Sequence, residues 1–550
     1  MLLRKYPIRH EQELLTGGNL SYFDECFNRR LFTDSDTLVD LIQPWIKYNM
    51  KSEADCSMIV ETLLTEHHIP DDSAADNGML PNPVLPPPAP PLPLAAEFAH
   101  LDCITLTDEQ AVVFNVLSNK RNGLFVIQGV PGSGKSLLLR KLIRHYDAAN
   151  LRLSLNGSTG AAAKNLSTRA TTVHSGYVFP NRGAMLPDLH PLSDAYPRLH
   201  HTDIHIIDEL SMLSSVSFGI VMKRLCQVLQ SPHPEAVLSQ TMIILCGDLY
   251  QLPPVCHHRT NESSVCALCI ICSSCWWARA THFNLSHSVR QAGDMPFVRF
   301  LGVARTATPS DELIREVFGP SELVPSGCYI NEQEALRLLT NTPGARVLCT
   351  HRKDCVTYNT HILDTTLLDS PLILITPHHT RTGATDESVE VPEKWLTDPE
   401  FHQLNAVRVG CLVMILKNVC QKRGLTNGTI GTVTGVLHLN DTVHTVVLSV
   451  PGVSRPVHIR RTVTAYMLVR GALGDTTFGK RTFPLTLAYA ATAHKAQGST
   501  LDTLTIVHIR DIFSPGQLYV MLSRVTTRLH LRIVGELQKE QFVPVVLPAT

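Results

Sequence analysis

The segment GVPGSGKS, residues 129–136, combines three glycines with an adjacent lysine and serine. It follows the apolar run GLFVIQ, which predicts a strand, and precedes SLLLRKLIRHY, which predicts a helix. Glycines let backbone N–H groups wrap around phosphates, and the N-terminus of the helix adds a partial positive charge. We expect Lys135 to reach the β- and γ-phosphates and the Ser136 hydroxyl to bind Mg²⁺. The residues predicted to hold the nucleotide are Gly129, Val130, Pro131, Gly132, Ser133, Gly134, Lys135 and Ser136.

Two adjacent carboxylates end another apolar run about 70 residues further on, in IHIIDEL, residues 204–210. Asp208, at the tip of the predicted strand, is expected to hold Mg²⁺ directly or through water, and Glu209 to polarise the attacking water. Neighbouring residues within a strand point to opposite faces, but at the strand end both can face one site. The two motifs together predict a nucleoside triphosphatase, and they do not indicate what its energy drives.

Alternating strands and helices are predicted on both sides of a more irregular region. Short β-branched runs, each followed by a helical pattern, indicate parallel α/β layering. Residues 405–482 instead alternate apolar and polar positions, with turns such as Asn427-Gly428, and predict a small β-barrel inserted into the second α/β domain. The predicted parallel strands are Leu124–Gln128, Leu151–Leu155, Ile204–Ile207, Met242–Cys246, Arg346–Thr350, Leu504–Ile509 and Leu529–Val534.

The composition indicates a globular, intracellular protein. The chain has 550 residues, of which 44% are apolar and 18% charged, and a formal net charge of −1. The net charge does not predict a nucleic-acid partner, so any basic groove must be local. There is no apolar run of membrane-spanning length and no secretory signal, so no membrane contact is expected. The 15 cysteines lie mostly in apolar runs, as reduced buried thiols do.

The first 96 residues differ from the remainder. Apolar residues at helical spacing predict a helical accessory segment over residues 1–68. Residues 69–96 include LPNPVLPPPAPPLPLAA, which favours polyproline II and predicts a semi-rigid linker. The linker is a spacer or a docking site for a domain with an aromatic groove.

Further motifs resemble those of the 5′-to-3′ DNA helicases of superfamily 1, in their PIF-type, RecD-like branch. They occur in that family's order over residues 101–537, although the Phe-Gly-Gly usual before GDLYQ is missing and residues 256–275 look rearranged. The motifs are STGAAAKNL with TTVHS (158–166, 171–175), DELSML (208–213), ILCGDLYQLPPV (244–255), SVRQ (288–291), VGCLVMILKN with LTNGTIG (409–418, 425–431), TAHKAQGSTLD (492–502) and GQLYVMLSRV (516–525).

This resemblance implies an α/β fold of two RecA-like P-loop domains with parallel sheets, besides the helical N-terminal extension. The first domain would cover residues 97–284 and the second residues 285–404 and 483–550, with an SH3-like β-barrel, residues 405–482, inserted in the second. Residues 176–200, with Tyr177 and Phe179, fall where the family places a strand-separating wedge. The alternative for that segment is a plain surface loop.

The resemblance also implies ATP as the nucleotide and adds residues to its site. Gln110, in LTDEQ, would read adenine, because a side-chain amide can pair with its amino group and N7. Gln251 would sense the γ-phosphate. Arg290 and Arg524 resemble arginine fingers supplied by the second α/β domain. The predicted catalytic residues are Lys135, Glu209, Gln251, Arg290 and Arg524.

Contact with nucleic acid is carried over in the same way. Thr159, His174, His494 and Thr500 fall in motifs that, by resemblance, touch the phosphates of a single strand. His174 and His494 could equally be structural. The expected partners are single-stranded and forked DNA and, through residues 1–96, replication proteins, in the nucleus of a cell or of a viral host.

The function predicted is that of an ATP-dependent DNA helicase that moves 5′-to-3′ on single-stranded DNA and unwinds duplexes in replication, recombination or repair. One alternative is a P-loop ATPase that remodels protein or RNA complexes without unwinding DNA. Another is a scaffold with a degenerate motor, against which the intact Lys135, Asp208 and Glu209 argue.

Four cysteines, Cys266, Cys269, Cys272 and Cys275, are spaced C-x₂-C-x₂-C-x₂-C. Zinc or an iron–sulfur cluster is possible there, but the spacing matches no common module. Cys269, Cys272 and Trp276 have helical spacing within an apolar stretch, so buried thiols are favoured over a metal.

Overall fold

A computed structural model of the chain describes residues 97–547, apart from several gaps. The described residues belong to one compact unit, Pro91–Thr550, and a second unit, Met1–Pro90, lies outside them. The predictions for residues 1–68 and 69–96 therefore fall outside the described residues. The gaps are residues 102, 181–185, 192, 232, 255–270, 290–292, 377, 384–403, 421–422, 440–441 and 472–473.

A parallel sheet, sheet I, organises the first part of the described chain. Its strands are β1 (Gly123–Gly129), β2 (Leu153–Gly157), β3 (Thr171–Thr172), β4 (Ile204–Asp208), β5 (Met242–Gly247) and β6 (Thr281–Leu285). They lie in the order β3-β2-β4-β5-β1-β6, and each neighbouring pair is parallel. In β1, Phe125 and Ile127 pack into one core while Leu124 and Val126 pack into the other. A strand that is apolar throughout is what a sheet covered on both faces requires.

The helices around sheet I form with it a layered body that we name lobe I, the described part of residues 97–289. Helix α2 follows the glycine-rich segment and buries Leu138, Leu142 and Tyr146 against the sheet at helical spacing, which confirms the helix predicted there. The helices are α1 (Asp108–Ser118), α2 (Lys135–Ala148), α3 (Gly160–Leu166), α4 (Val173–Gly176), α5 (Ala195–His200), α6 (Ser215–Val228) and α7 (Pro234–Gln240).

A second parallel sheet, sheet II, organises lobe II, the described part of residues 293–376 and 488–547. Its strands are β7 (Tyr329–Ile330), β8 (Arg346–Cys349), β19 (Ala490–Thr492), β20 (Thr505–His508) and β21 (Leu531–Val534), in the order β19-β8-β20-β21-β7. Val507 and Leu348 face one core and Ile506 and Val347 the other. The helices are α8 (Met295–Thr306), α9 (Asp311–Phe318), α10 (Glu332–Asn341), α11 (Arg352–Thr365), α12 (Ala493–Ala496) and α13 (Gln517–Leu522).

The region between β8 and β19 is antiparallel, and we name β10 and the described residues of 404–487 the insert. Five of its strands form a sheet in the order β15-β14-β13-β12-β18, β10 pairs with β17 beside β16, and β11 pairs with β9 of lobe II. The strands are β9 (Ile373–Leu374), β10 (His378–Gly383), β11 (Ala406–Val407), β12 (Leu412–Ile415), β13 (Ile430–Leu439), β14 (Thr442–Ser449), β15 (Val457–Arg460), β16 (Thr462–Gly471), β17 (Gly474–Thr482) and β18 (Leu485–Leu487).

The predicted parallel strands are confirmed, with ends that shift by one or two residues. The turn predicted at Asn427-Gly428 is also present, since Thr429 N donates to Thr426 O at 3.0 Å and Gly428 has a φ of +91°. A positive φ at the third position of such a turn is what favours glycine there. Among the described helices, none is long and apolar enough to cross a bilayer.

Candidate nucleotide and nucleic-acid sites

The glycine-rich segment forms a tight loop between β1 and α2. Gly132 and Gly134 have φ values of +77° and +75°, a region that L side chains rarely adopt. A Cβ on Gly134 would stand 2.3 Å from Gln110 Nε2, so a side chain there would force the Gln110 amide to move. The loop ends at Lys135, the first residue of α2, so the first N–H groups of that helix point into the loop without intrahelical acceptors. An anion fits this cradle.

The lysine of the loop lies over the cradle. Lys135 Nζ donates to Gly129 O at 2.8 Å and to Val130 O at 2.9 Å. Ser133 Oγ is buried and has no hydrogen-bond partner among the described residues. A phosphate group with several acceptor oxygens would satisfy both the ammonium and the hydroxyl, so the residues present fit a nucleotide.

The predicted carboxylate pair stands at the carboxyl end of β4. Asp208 is buried, and its Oδ1 accepts a hydrogen bond from Glu209 N at 2.9 Å. Burial and the Glu209 carboxylate raise the pKa of Asp208 to about 7, while Lys135 and Arg140 act in the opposite direction. A divalent cation would keep this carboxylate ionised, and a carboxylate with the Ser136 hydroxyl makes the hard oxygen set that Mg²⁺ prefers.

Glu209 is held by a residue from the other lobe. Its backbone has a φ of +60°, which is uncommon for a residue with a side chain. Its Oε2 accepts a hydrogen bond from Gln497 Nε2 at 3.1 Å, and the same amide nitrogen donates to Ser211 Oγ at 2.8 Å. Sequence reasoning missed Gln497. Its only signal was its position in TAHKAQGSTLD, between the two residues of that motif chosen for nucleic-acid contact.

Gln251 stands where lobe I meets helix α13 of lobe II. It is buried, and its Oε1 has no hydrogen-bond partner among the described residues. A Cβ on Gly516, just before α13, would stand 3.1 Å from Gln251 O and 2.9 Å from Tyr250 O. The segment that follows β5 and the start of α13 are thus in close contact.

Arg524 follows α13 and is buried at this junction. Its Nε donates to Val520 O at 2.9 Å and its guanidinium also donates to Ser523 Oγ at 2.8 Å. Burial lowers the pKa of Arg524, while the Glu209 carboxylate acts to raise it. Glu209 is therefore one of the charged groups that act on Arg524. Arg290 lies outside the described residues, but Val289 N donates to Gly132 O in the phosphate loop at 2.9 Å.

Gln110 lies beside the phosphate loop, with its amide engaged by the protein. Its Nε2 donates to Ser133 O at 2.8 Å, and its Oε1 accepts from Thr107 N at 3.1 Å as part of the cap of α1. Helix α1 is thereby tied to the loop. Adenine recognition by this amide stays a prediction, and it requires at least one of these bonds to be exchanged.

Two of the four residues predicted to contact nucleic acid line one open cleft. Thr159 and His174 lie there, with the Thr159 hydroxyl accepting from Ala162 N as the cap of α3. The opposite wall belongs to the insert, where Asn418 Nδ2 donates to Ser175 Oγ at 3.3 Å. The cleft has a volume of about 390 Å³ and is lined by Ser158, Thr159, Gly160, Thr172, His174, Lys417, Asn418 and Asn427.

Lys417, Asn418 and Asn427 are functional candidates that sequence reasoning did not single out, although their motifs were recognised. The turn at Asn427 lies directly on α3, because a Cβ on Gly160 would stand 2.0 Å from Asn427 O. His494 and Thr500 are not among the residues that line this cleft. His494 is half-buried and stacks on Phe513 with ring centroids 6.2 Å apart, whereas Thr500 is exposed.

The segment interpreted as a wedge begins in the core. Tyr177 is fully buried, and its hydroxyl lies 2.9 Å from His205 Nδ1. Arg224 donates to Tyr177 O and Val178 O and fixes the chain there. The Tyr177 side chain therefore packs against sheet I, and the wedge interpretation of residues 176–200 stays a prediction. Phe179 is half-buried, with its ring 4.6 Å from that of His174 beside the cleft.

The cysteine cluster falls only partly within the described residues. Cys272 is buried in the core of lobe I together with Trp276, and burial raises the pKa of its thiol. Cys275 is exposed, while Cys266 and Cys269 lie outside the described residues. Within the described part of the chain, no three His, Cys, Asp or Glu side chains are grouped so that they could hold a metal ion by themselves.

Comparison with known sequences identifies related proteins over most of the chain. A family model described as PIF1-like helicase matches residues 105–296, and one for the 2B domain of the DNA helicase Pif1 matches residues 400–436. The ATP-dependent DNA helicase PIF1 of Danio rerio is 27% identical over 436 residues, which cover 78% of this chain and 61% of the relative. The ATP-dependent DNA helicase Pif1 of Bdellovibrio bacteriovorus is 28% identical over 435 residues, which cover 78% and 88%. The chain thus spans about three fifths of the length of the animal relative.

Solved structures share the fold. Bacteroides Pif1 bound to ssDNA superposes with a TM-score of 0.61 at 23% identity, covering 80% of this chain and 95% of that one. Pif1 helicase from Candida albicans gives a TM-score of 0.60 at 24% identity, covering 80% and 96%. The α/β architecture with parallel sheets is therefore shared with these proteins.

Proposed function

We propose that this chain, which belongs to the PIF1-like helicase family, is an ATP-dependent DNA helicase that moves 5′-to-3′ along single-stranded DNA and unwinds duplexes. One observation carries the proposal: Glu209, in the carboxylate pair of lobe I, accepts a hydrogen bond from Gln497 of lobe II at 3.1 Å. Chemistry at such a site depends on how the two lobes are placed, so each hydrolysis cycle can move them against each other.

The nucleotide site is proposed to work through these residues. When bound, Mg²⁺-ATP supplies the transferable phosphoryl group and the cation that balances its charge. Lys135 exchanges its two carbonyl partners for phosphate oxygens, and Ser136 and Asp208 hold the cation. Glu209 orients the attacking water, while Arg524 stabilises the charge that develops on the transferred group.

Two further residues, Gln251 and Arg290, are proposed to act in hydrolysis on the basis of the family resemblance. Gln251 would sense the γ-phosphate from the junction with α13, and Arg290 would act as a second finger. The hydrogen bond from Val289 N to Gly132 O supports this role for Arg290, because it places Val289, the preceding residue, against the phosphate loop.

Single-stranded DNA is proposed to lie in the cleft between lobe I and the insert. Lys417 and His174 can meet phosphates there, and the Asn418 side chain and loop N–H groups can donate without reading base sequence. Bacteroides Pif1, which shares the fold, is bound to ssDNA in its crystal structure, and this supports the same ligand class. Forked DNA and replication proteins, the latter through residues 1–96, are proposed as further partners, in the nucleus of a cell or host.

The domain limits are proposed as two RecA-like domains, residues 97–284 and residues 285–404 with 483–550, and an SH3-like insertion over residues 405–482. Sheets I and II support the two parallel domains, and the antiparallel strands between β8 and β19 support the insertion. Strand β18 pairs with β12, so the insertion would reach Leu487 rather than end at residue 482.

The decisive experiment combines turnover with unwinding. We expect ATP hydrolysis to be stimulated by single-stranded DNA and weakened by salt, and a forked duplex with a 5′ overhang to be unwound. Lys135→Ala should abolish turnover, because it removes the ammonium that reaches the phosphates. Hydrolysis that is indifferent to DNA would instead favour the ATPase that remodels protein or RNA complexes.

A further inference from the structure

The amide of Gln497 reaches across the junction of the lobes. Its side chain is fully buried, and its Nε2 donates to Glu209 Oε2 at 3.1 Å and to Ser211 Oγ at 2.8 Å. Its Oε1 is buried without a hydrogen-bond partner among the described residues. The Gln497 Nε2 group therefore donates both its hydrogen bonds to the carboxylate motif of lobe I. Its Oε1 remains available as an acceptor close to the Glu209 carboxylate.

The turn that carries Gln497 is fixed from both lobes. Asn165 of lobe I donates through Nδ2 to Gly498 O at 2.6 Å, and Arg524 of lobe II donates to Ser499 O at 3.4 Å. Gly498 has a φ of +82°, and a Cβ there would stand 3.4 Å from Glu209 Oε1. The backbone after Gln497 thus passes beside the other carboxylate oxygen, and the side chain has little freedom to lie elsewhere.

A carboxylate that polarises water must present one oxygen in a defined direction. The backbone of Glu209 is in the left-handed region and leaves the side chain on a short turn at the end of β4, so local structure alone does not fix the carboxylate. A hydrogen bond to one oxygen orients the other, and a neighbouring acceptor can hold the second hydrogen of the water.

We propose that Gln497 is a positioning residue for hydrolysis, which orients the Glu209 carboxylate from lobe II so that the carboxylate is ready only when the two lobes are in contact. This inference rests on the proposed function, because it gives Glu209 its role in ATP hydrolysis. It extends that function by adding a residue of lobe II, other than an arginine, to the chemistry.

The test replaces the amide while keeping its shape. Gln497→Met preserves length and volume but cannot donate to Glu209, and Gln227→Met, at a half-buried amide that bonds Leu189 and Arg224 in lobe I, serves as the matched control. We would measure kcat and KM for ATP with saturating oligo(dT), oligo(dT) affinity by fluorescence anisotropy, and Tm for both variants. Should Gln497→Met fail to fold, the shorter but polar Gln497→Asn takes its place.

We expect Gln497→Met to lower kcat by about 10- to 100-fold, the loss that follows from misplacing a reacting group by about 1 Å. KM for ATP, oligo(dT) affinity and Tm should stay within the range of the control, because the amide contacts neither ligand in the proposal. The inference would be overturned if kcat of Gln497→Met stayed within about twofold of wild type or rose. It would also be overturned if weaker binding of ATP or DNA explained the loss of activity. Wild-type hydrolysis indifferent to oligo(dT) would contradict the helicase proposal, whereas the kcat comparison would still decide the role of Gln497.

Discussion

At the scale of single residues, close packing decides which side chains the nucleotide site tolerates. Gly134 combines a positive φ with a neighbour, Gln110, that already fills the space where a Cβ would go. Gln110 cannot easily move away, because it also caps α1 and holds Ser133 O. The loop and the preceding helix are thus fitted to each other before any ligand binds.

Gly134→Ala should therefore abolish tight ATP binding, because the new methyl group would push Gln110 aside and strain the loop. Binding of a fluorescent ATP analogue and Tm would be measured together. Gly219→Ala is the matched control: it lies within α6 with no heavy atom near the new methyl, so it should leave binding intact and stabilise the fold by up to about 1 kcal/mol. Unchanged nucleotide affinity in the Gly134 variant would refute the packing argument.

A buried histidine should make stability depend on pH. Burial lowers the pKa of His205 to about 3, whereas in the unfolded chain it is about 6.5. Between pH 6.5 and about 3, the imidazole is protonated in the unfolded state but not in the folded state. The contribution of the neutral, buried His205 to the unfolding free energy is therefore fully present well above pH 6.5 and decreases as the pH falls towards 3.

His205→Asn keeps a polar group near the Tyr177 hydroxyl and removes the titration. Between pH 7.5 and 5.5 we expect the wild type to lose about 1.4 kcal/mol more unfolding free energy than this variant, measured by urea denaturation. The exposed His201→Asn should follow the wild type. If the unfolding free energies of wild type and His205→Asn changed equally with pH, His205 would not be the group responsible for the pH dependence.

At the scale of elements, a buried polar network joins lobe I to two helices of lobe II. Asp248, just after β5, is fully buried, forms an ion pair with Arg305 of α8 at 3.0 Å and accepts from the Tyr519 hydroxyl of α13 at 3.0 Å. The Arg305 guanidinium also stacks over the Tyr250 ring, 4.3 Å from its centroid. The network connects the segment of Gln251 to the helix that precedes Arg524.

Removing one partner should be costly, because a buried charge is left without compensation. We expect Arg305→Met to lower the unfolding free energy by about 3–5 kcal/mol. Arg337→Met, which breaks an exposed pair with Glu334, should lower the unfolding free energy far less, because water screens that pair. Adding Asp248→Asn to Arg305→Met should recover part of the loss, and a double variant less stable than the single one would argue against the buried-charge explanation.

At the scale of the whole molecule, the proposed DNA cleft exists only where the insert meets lobe I. Thr159 and His174 come from one side and Lys417, Asn418 and Asn427 from the other. Contacts between Asn427 and Gly160 and between Asn418 and Ser175 hold the two walls together. Binding there would therefore respond to the position of the insert as well as to that of the lobes.

Lys417→Gln tests the cleft through its dependence on salt. If this ammonium neutralises one phosphate, the slope of log affinity for oligo(dT) against log salt should fall by about 0.7, together with a loss of affinity at low salt. The exposed Lys120→Gln, just beyond α1, should leave the slope unchanged. An unaltered slope in the Lys417 variant would place the strand elsewhere.

From the sequence alone we predict the phosphate loop, the carboxylates at the end of β4 and the parallel strands. Each of these is a local feature: glycines next to a helix start, and apolar runs whose length and periodicity follow from burial on both faces. The family resemblance added residues such as Gln251 and Arg524, because their motifs can be read without knowing what they touch.

Which distant residues share a site can be seen only in the folded chain. Gln497 and Glu209 are 288 positions apart, and no periodicity or spacing connects them. The burial of Tyr177 and the approach of Asn427 to Gly160 likewise depend on elements that meet only after folding. The physical reason is that side-chain contacts across lobes are set by the packing of whole elements, whereas motifs record only the backbone conformation around them.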